Sequence, residues 1–153
     1  MAGELLEGAA WSWGLSLILL TIALHATGVV VMAFLDARIQ VRVREEKLGT
    51  ARAIPVVIGA VGTVGVVLAA LHGLEAMLWA GAYVWVGALG SFAEAVLYSL
   101  GSMTTRGSSV DLLWRWQMMG VLEAVNGMLL FGISTAFIFA CMQSYWPMLA
   151  RRG

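Results

Sequence analysis

Residues 11–35 contain no Asp, Glu, Lys or Arg, and residues 54–89 and 116–146 contain one carboxylate each, Glu75 and Glu123. About 25 helical residues suffice to cross the ~30 Å hydrocarbon core of a bilayer at 1.5 Å of rise per residue. Runs of this length and purity leave few folds open. The whole chain of 153 residues is 61% hydrophobic and only 12% charged, too little polar surface for a soluble domain. We therefore expect an all-α integral membrane protein built as one small domain. The first ten residues carry Glu4 and Glu7 but no Lys or Arg. A secretory signal begins with positive charge, so the first run is expected to be a retained membrane helix.

Charge placement suggests a topology. Formal net charge is zero, which gives no reason to expect nucleic acid as a partner. The positive residues concentrate at 36–52, where Arg38, Arg42, Arg44, Lys47 and Arg52 outnumber Asp36, Glu45 and Glu46, and again at Arg151 and Arg152. Positive residues gather in cytoplasmic loops. A single long helix over 54–89 then places the N-terminus outside, a basic loop at 36–52 inside, residues 90–115 outside and the C-terminus inside. Two short spans in that stretch would move the Arg151–Arg152 tail outside, so one helix is preferred. It is long enough to tilt, or to bend at a glycine such as Gly59, Gly62, Gly65, Gly73 or Gly81. Trp11 and Trp13 suit the headgroup region at the start of the first helix. Pro55 suits the first turn of the second.

Residues 91–103 are apolar and small but too few to cross. A re-entrant pore helix fits them, since irregular backbone at membrane depth is tolerated where it is buried in protein or lines water. The polar stretch Ser99-Leu100-Gly101-Ser102-Met103-Thr104-Thr105-Arg106-Gly107-Ser108-Ser109-Val110-Asp111 follows, and the last span begins near Trp116. The expected organisation is thus a first helix with its basic loop over 1–53 and a second part over 54–153. The latter divides into an outer helix (54–89), a pore loop (90–115) and an inner helix (116–146).

These residues resemble the pore unit of small bacterial potassium-channel-like proteins, the two-transmembrane pore-loop superfamily. The likeness rests on Leu71-His72-Gly73-Leu74-Glu75-Ala76-Met77-Leu78-Trp79-Ala80 in the outer helix and Ala95-Val96-Leu97-Tyr98-Ser99-Leu100 leading to Thr104-Thr105 in the pore helix. Leu122-Glu123-Ala124-Val125-Asn126-Gly127 and Gly132-Ile133-Ser134-Thr135-Ala136 carry it in the inner helix. It covers about half the chain. In that superfamily the pore helix ends in Thr-Thr-Val/Leu-Gly-Tyr-Gly-Asp, whose carbonyls replace the ion's hydration shell. The resemblance implies four copies around a central pore, with Thr105 at the innermost ion site and Gly107 as the first filter glycine. It also implies inner helices that bend at Gly127 or Gly132. The chain departs from the pattern at three positions. Arg106 replaces the apolar residue, Ser108 the bracing tyrosine, and Ser109 the second glycine, where a left-handed backbone costs a non-glycine residue roughly 1 kcal/mol or more. Potassium selectivity is not implied across these changes.

Each polar residue carries two readings. Arg106 either lines the pore, repelling cations or attracting anions, or holds the filter in another shape, or snorkels outward to water. Glu123 is either functional or a strut that hydrogen-bonds the pore-helix backbone or pairs with Arg106. His72 and Glu75 share a helix face and form either a proton-sensitive pair or, as the favoured reading, an interhelical hydrogen bond. Glu94 offsets the pore-helix dipole. Asp111 gathers cations at the mouth or makes a loop contact, Val110 completes the filter stretch, and Asn126 either binds an ion or, as the favoured reading, glues helices. Cys141 is a small buried hydrophobe.

His25 and His72 are isolated along the chain. With no metal-ligand spacing, nucleophile–base pair or phosphate loop, neither an enzyme nor a bound metal is expected. No cofactor is expected beyond permeant monovalent ions, and the partners are membrane lipids and further copies of the chain. The expected function is a tetrameric pore-loop ion channel of low selectivity among monovalent cations, in the bacterial inner membrane. The alternatives are a non-conducting scaffold or regulatory subunit, and a pore of altered, anionic specificity set by Arg106.

Overall fold

The structure, a computed structural model, describes residues 2–45, 50–107 and 110–150. The described residues form helices and no strands: α1 (Ala2–Glu45), α2 (Thr50–Trp85), α3 (Phe92–Met103), a 3-10 turn (Trp114–Trp116) and α4 (Gln117–Ala150). Three of them are long and apolar enough to cross a membrane, over Gly8–Val43, Arg52–Trp85 and Trp114–Pro147. The chain is a multi-pass membrane protein. Less than a third of each helix's most apolar window is buried, so much of its apolar surface is left for lipid or for other copies of the chain.

Two boundaries differ from those read in the sequence. α1 does not end at residue 35 but continues as helix to Glu45, so the first part of the expected basic loop is helical. Arg, Gln and Glu are good helix formers, and the buried Asp36 is satisfied by side-chain partners, so nothing breaks the helix there. α2 is one helix, but it begins at Thr50 and ends at Trp85. Pro55 therefore sits a turn further in than expected, costing one backbone hydrogen bond. At the other end the backbone, not hydropathy, stops the helix. Gly87 takes φ +68°, the Ala88 N–H donates to Tyr83 O at 2.8 Å and the Gly87 N–H to Val84 O at 3.1 Å. This paired closure through a left-handed glycine satisfies the last carbonyls of α2.

The chain divides into two compact units that cut across the sequence division at residue 53: residues 1–25 with 71–131, and residues 26–70 with 132–153. In the first unit, Trp79, Ala80 and Tyr83 of α2 pack with Ala10 and Leu17 of α1, Ala95 of α3, and Trp116 and Met119. The Tyr83 and Tyr98 rings meet edge to face, centroids 5.2 Å apart. A smaller cluster joins Ala76, Met103 and Leu130. In the second unit, Met32, Val64 and Leu68 form the core. There the Tyr145 hydroxyl donates to Asp36 Oδ1 at 2.6 Å, and Gln40 Nε2 donates to Asp36 Oδ2 and to Ser144 Oγ, each at 2.7 Å. Cys141 is buried and free in this unit.

Candidate functional site

α3 begins and ends on local chemistry. Ser91 has extended backbone and its hydroxyl accepts from the Glu94 N–H at 3.2 Å, which puts an acidic residue in the first turn, where it meets the positive end of the helix dipole. At the C-terminus Thr104 closes the helix, its hydroxyl donating to Leu100 O at 2.6 Å. The following backbone folds back onto the helix end: the Thr105 N–H donates to Ser102 O at 3.0 Å and the Gly107 N–H to Gly101 O at 3.2 Å. Thr105 has φ +57° and Gly107 φ +79°. A positive φ at a β-branched residue is a genuine outlier, and backbone strain of this kind clusters at functional sites. Thr104, Thr105, Arg106, Gly107 and Asp111 are exposed and Val110 is half-buried. Ser108 and Ser109 lie outside the described residues.

Behind α3 sits Glu123, fully buried. Its Oε2 accepts from the Tyr83 hydroxyl at 2.8 Å. Ser99 and Ser102 of α3 lie near enough to interact with the same carboxyl. Ser99 completes no hydrogen bond to it, and Glu123 Oε1 and Ser99 Oγ are both buried without a hydrogen-bond partner among the described residues. Glu123 therefore bonds a side chain of α2 rather than the pore-helix backbone or Arg106, the two partners expected from the sequence. Arg106 makes no ion pair among the described residues. Burial, with the Glu123 and Asp111 carboxylates, pushes the Tyr98 phenol up to about 12, so it stays neutral.

Beside the apolar packing, a hydrogen bond and a close backbone approach hold α3 against α4. Ser102 Oγ donates to Gly120 O at 3.1 Å. A Cβ on Gly127 would come within 2.5 Å of Met103 O and 2.6 Å of Met103 Cα, whereas one on Gly132 would meet nothing within 4 Å. Gly127 thus serves as a contact point at the end of α3, a role that the expectation of a hinge did not include. α4 runs unbroken through both glycines. Asn126 Nδ2 donates to Thr21 Oγ1 at 2.8 Å, joining α4 to α1.

A second polar cluster lies on α1 and α2. Glu75 Oε1 is 2.9 Å from His25 Nδ1, and Glu75 Oε2 is 3.1 Å from His72 Nδ1. All three side chains are buried. The His72 ring stacks on Phe131, centroids 4.1 Å apart, and lies 5.1 Å from the His25 ring. The His72–Glu75 bond is within one helix, and the interhelical one runs through His25. The sequence reading that left His25 isolated missed this cluster. The available signal was an ionisable side chain inside each of two consecutive apolar runs, which marks function by default.

Compared with family models, curated proteins and solved structures, the chain matches none.

Proposed function

We propose that this chain is the subunit of a tetrameric pore-loop ion channel, with an altered filter that passes monovalent cations at low selectivity. The observation that carries the reading is α3 and the loop that ends it. A twelve-residue helix stands between two helices long enough to span. It delivers Thr104 and Thr105 into exposed backbone, with positive φ at Thr105 and Gly107 and not at Arg106 between them. Alternation of backbone hand, carried through a strand, turns successive carbonyls to one side, which is what a filter of backbone carbonyls requires. One pore loop per chain supplies a quarter of a ring, hence four copies. In this reading α2 is the outer helix, α3 the re-entrant pore helix and α4 the lining helix. The N-terminus is outside and the C-terminus cytoplasmic, on the charge asymmetry. Labelling of a cysteine at the exposed Glu45 from the inner side alone tests that orientation.

Arg106 is the residue that sets permeation in this reading. At ~8 Å and an effective dielectric of 20, each of four inward-facing guanidinium groups repels a cation by about 2 kcal/mol. The experiment is potassium and sodium flux from liposomes, comparing the natural sequence with Arg106→Leu, Ser108→Tyr and Ser109→Gly combined. The expected result is weakly selective flux that becomes potassium-selective in the triple variant. Silence of both, with an intact tetramer, replaces the channel by a scaffold. Chloride-dependent reversal potentials assign the pore to anions. A stable dimer or pentamer by native mass spectrometry removes the reading altogether.

A further inference from the structure

The cluster of His25, His72 and Glu75 has no part in the loop that carries the proposed pore function. It brings two imidazoles and a carboxylate into one buried place, the candidate ligand atoms all within 4.8 Å of one another. The components come from two helices. His72 and Glu75 stand three apart on α2 and so share a face, and His25 comes from α1. A histidine and a glutamate three residues apart, projecting from one helix toward a ligand of another, is how helical bundles hold metal ions in their cores.

The charge balance asks for a cation. A carboxylate buried inside two apolar runs is retained as a charge only when paired or metal-bound. A proton would meet that need with one donor and one acceptor. A third group, supplied by another helix, is what a metal needs and a proton does not. We propose that His25, His72 and Glu75 form a binding site for one borderline divalent transition metal, of the Zn2+ class.

The distances suit it. With bonds of ~2.0–2.2 Å in tetrahedral geometry, neighbouring ligand atoms stand roughly 3.3 Å apart. The two N···O separations, each to a different oxygen of Glu75, are 2.9 and 3.1 Å, and the three candidate ligand atoms lie within 4.8 Å of one another, so a metal entering among them draws the widest pair together by up to about 1.5 Å. It replaces the two hydrogen bonds by Nδ1–metal and Oε–metal bonds, the proton of each ring residing on Nε2. Stacking on Phe131 holds the His72 ring plane, the kind of support around the ligands that metal sites use. Two imidazoles and one carboxylate favour Zn2+, Co2+ or Cu2+ over Mg2+ or Ca2+, which take oxygen. Three protein ligands leave a coordination position for water or a small anion. The His72 side chain, 10% exposed, is the only one of the three with any exposure, and so marks the way in.

The test uses the full chain in detergent micelles, with any affinity tag of histidines removed. Equilibrium dialysis against Zn2+ or Co2+ should give one ion per chain, unmoved by millimolar Mg2+ and weakening as pH falls and protons compete for the ligands. Loss of an outer-shell partner alone costs 10–100-fold in affinity, so His25→Gln, His72→Gln and Glu75→Gln should each weaken binding by about 100-fold or more. Each should leave helicity and oligomer size unchanged. For any variant that does not fold, Cu2+-loaded natural protein decides: its electron spin echo should show two coordinated imidazole nitrogens. Binding that survives in all three variants, natural protein that takes up no more Zn2+ than they do, or an echo without imidazole coupling overturns the proposal and leaves a hydrogen-bonded triad only. None of these measurements depends on ion flux, so this proposal and the channel reading stand or fall separately.

Discussion

Glu75 and Glu123 are both fully buried carboxylates within candidate membrane spans, yet their surroundings differ in kind. Glu75 has one oxygen on each of two imidazoles, side chains able to carry positive charge or to share a metal. Glu123 has one oxygen on a tyrosine hydroxyl and the other unpaired among the described residues, with two serines of α3 close by. The first region is able to hold compensating charge, the second only dipoles. One residue type therefore does two jobs. Around Glu75 it gathers ligands from α1 and α2 into a cation site, and around Glu123 it props the short helix α3 against its neighbours.

The largest expected effect separates the two directly. Glu75→Ala removes an acceptor shared by two buried imidazoles, and breaking a buried pair from one side costs roughly 3–5 kcal/mol. Thermal unfolding in detergent should show it as a large drop in midpoint. A cost below about 1 kcal/mol would mean that the imidazoles do not depend on the carboxylate, and the contrast would collapse.

Next comes the support of α3. Gly127→Ala should cost roughly 1–3 kcal/mol, because its Cβ meets backbone of Met103 that has no rotamer to change. Gly132→Ala, with open space around it, should be neutral or stabilising by up to about 1 kcal/mol, since alanine is the better helix former. Equal effects from the two would return Gly127 to the role of a hinge. The same unfolding assay reads both.

Tyr83→Phe should cost less, about 1–2 kcal/mol, by leaving Glu123 without its hydroxyl donor. The smallest effect belongs to Glu123→Gln. The amide can still accept from Tyr83 and offers an N–H toward the unpaired Ser99 hydroxyl, so stability should move by less than about 1 kcal/mol. A loss as large as that of Glu75→Ala would show that Glu123 also works as a charge with a cationic partner, and would end the distinction.

The helices were legible because hydropathy and length speak for themselves. Residues 11–35, 54–89 and 116–146 all fall within or overlap long helices, and residues 91–103 contain α3. Boundaries were less so. Trp85 ends α2 although Val86, Ala88 and Leu89 are apolar, because the left-handed Gly87 closes the helix through its backbone. Asp36 marks the start of a charged stretch but not the end of a helix, because Tyr145 and Gln40 satisfy it from positions that hydropathy does not register.

By itself the sequence determined that the chain spans a membrane as helices, that α3 is too short to join them, and that few polar side chains lie inside the apolar runs. The cost of placing charge in hydrocarbon and the rise of a helix are local quantities, readable from a window of residues. Only the tertiary structure decided which of those polar groups meet. His25 and Glu75 are 50 residues apart in the chain, and Tyr83 and Glu123 are 40 apart. Their pairing depends on how each helix is rotated about its own axis. A helix that is apolar all round carries no stripe that fixes this rotation, so the packing of its neighbours has to set it.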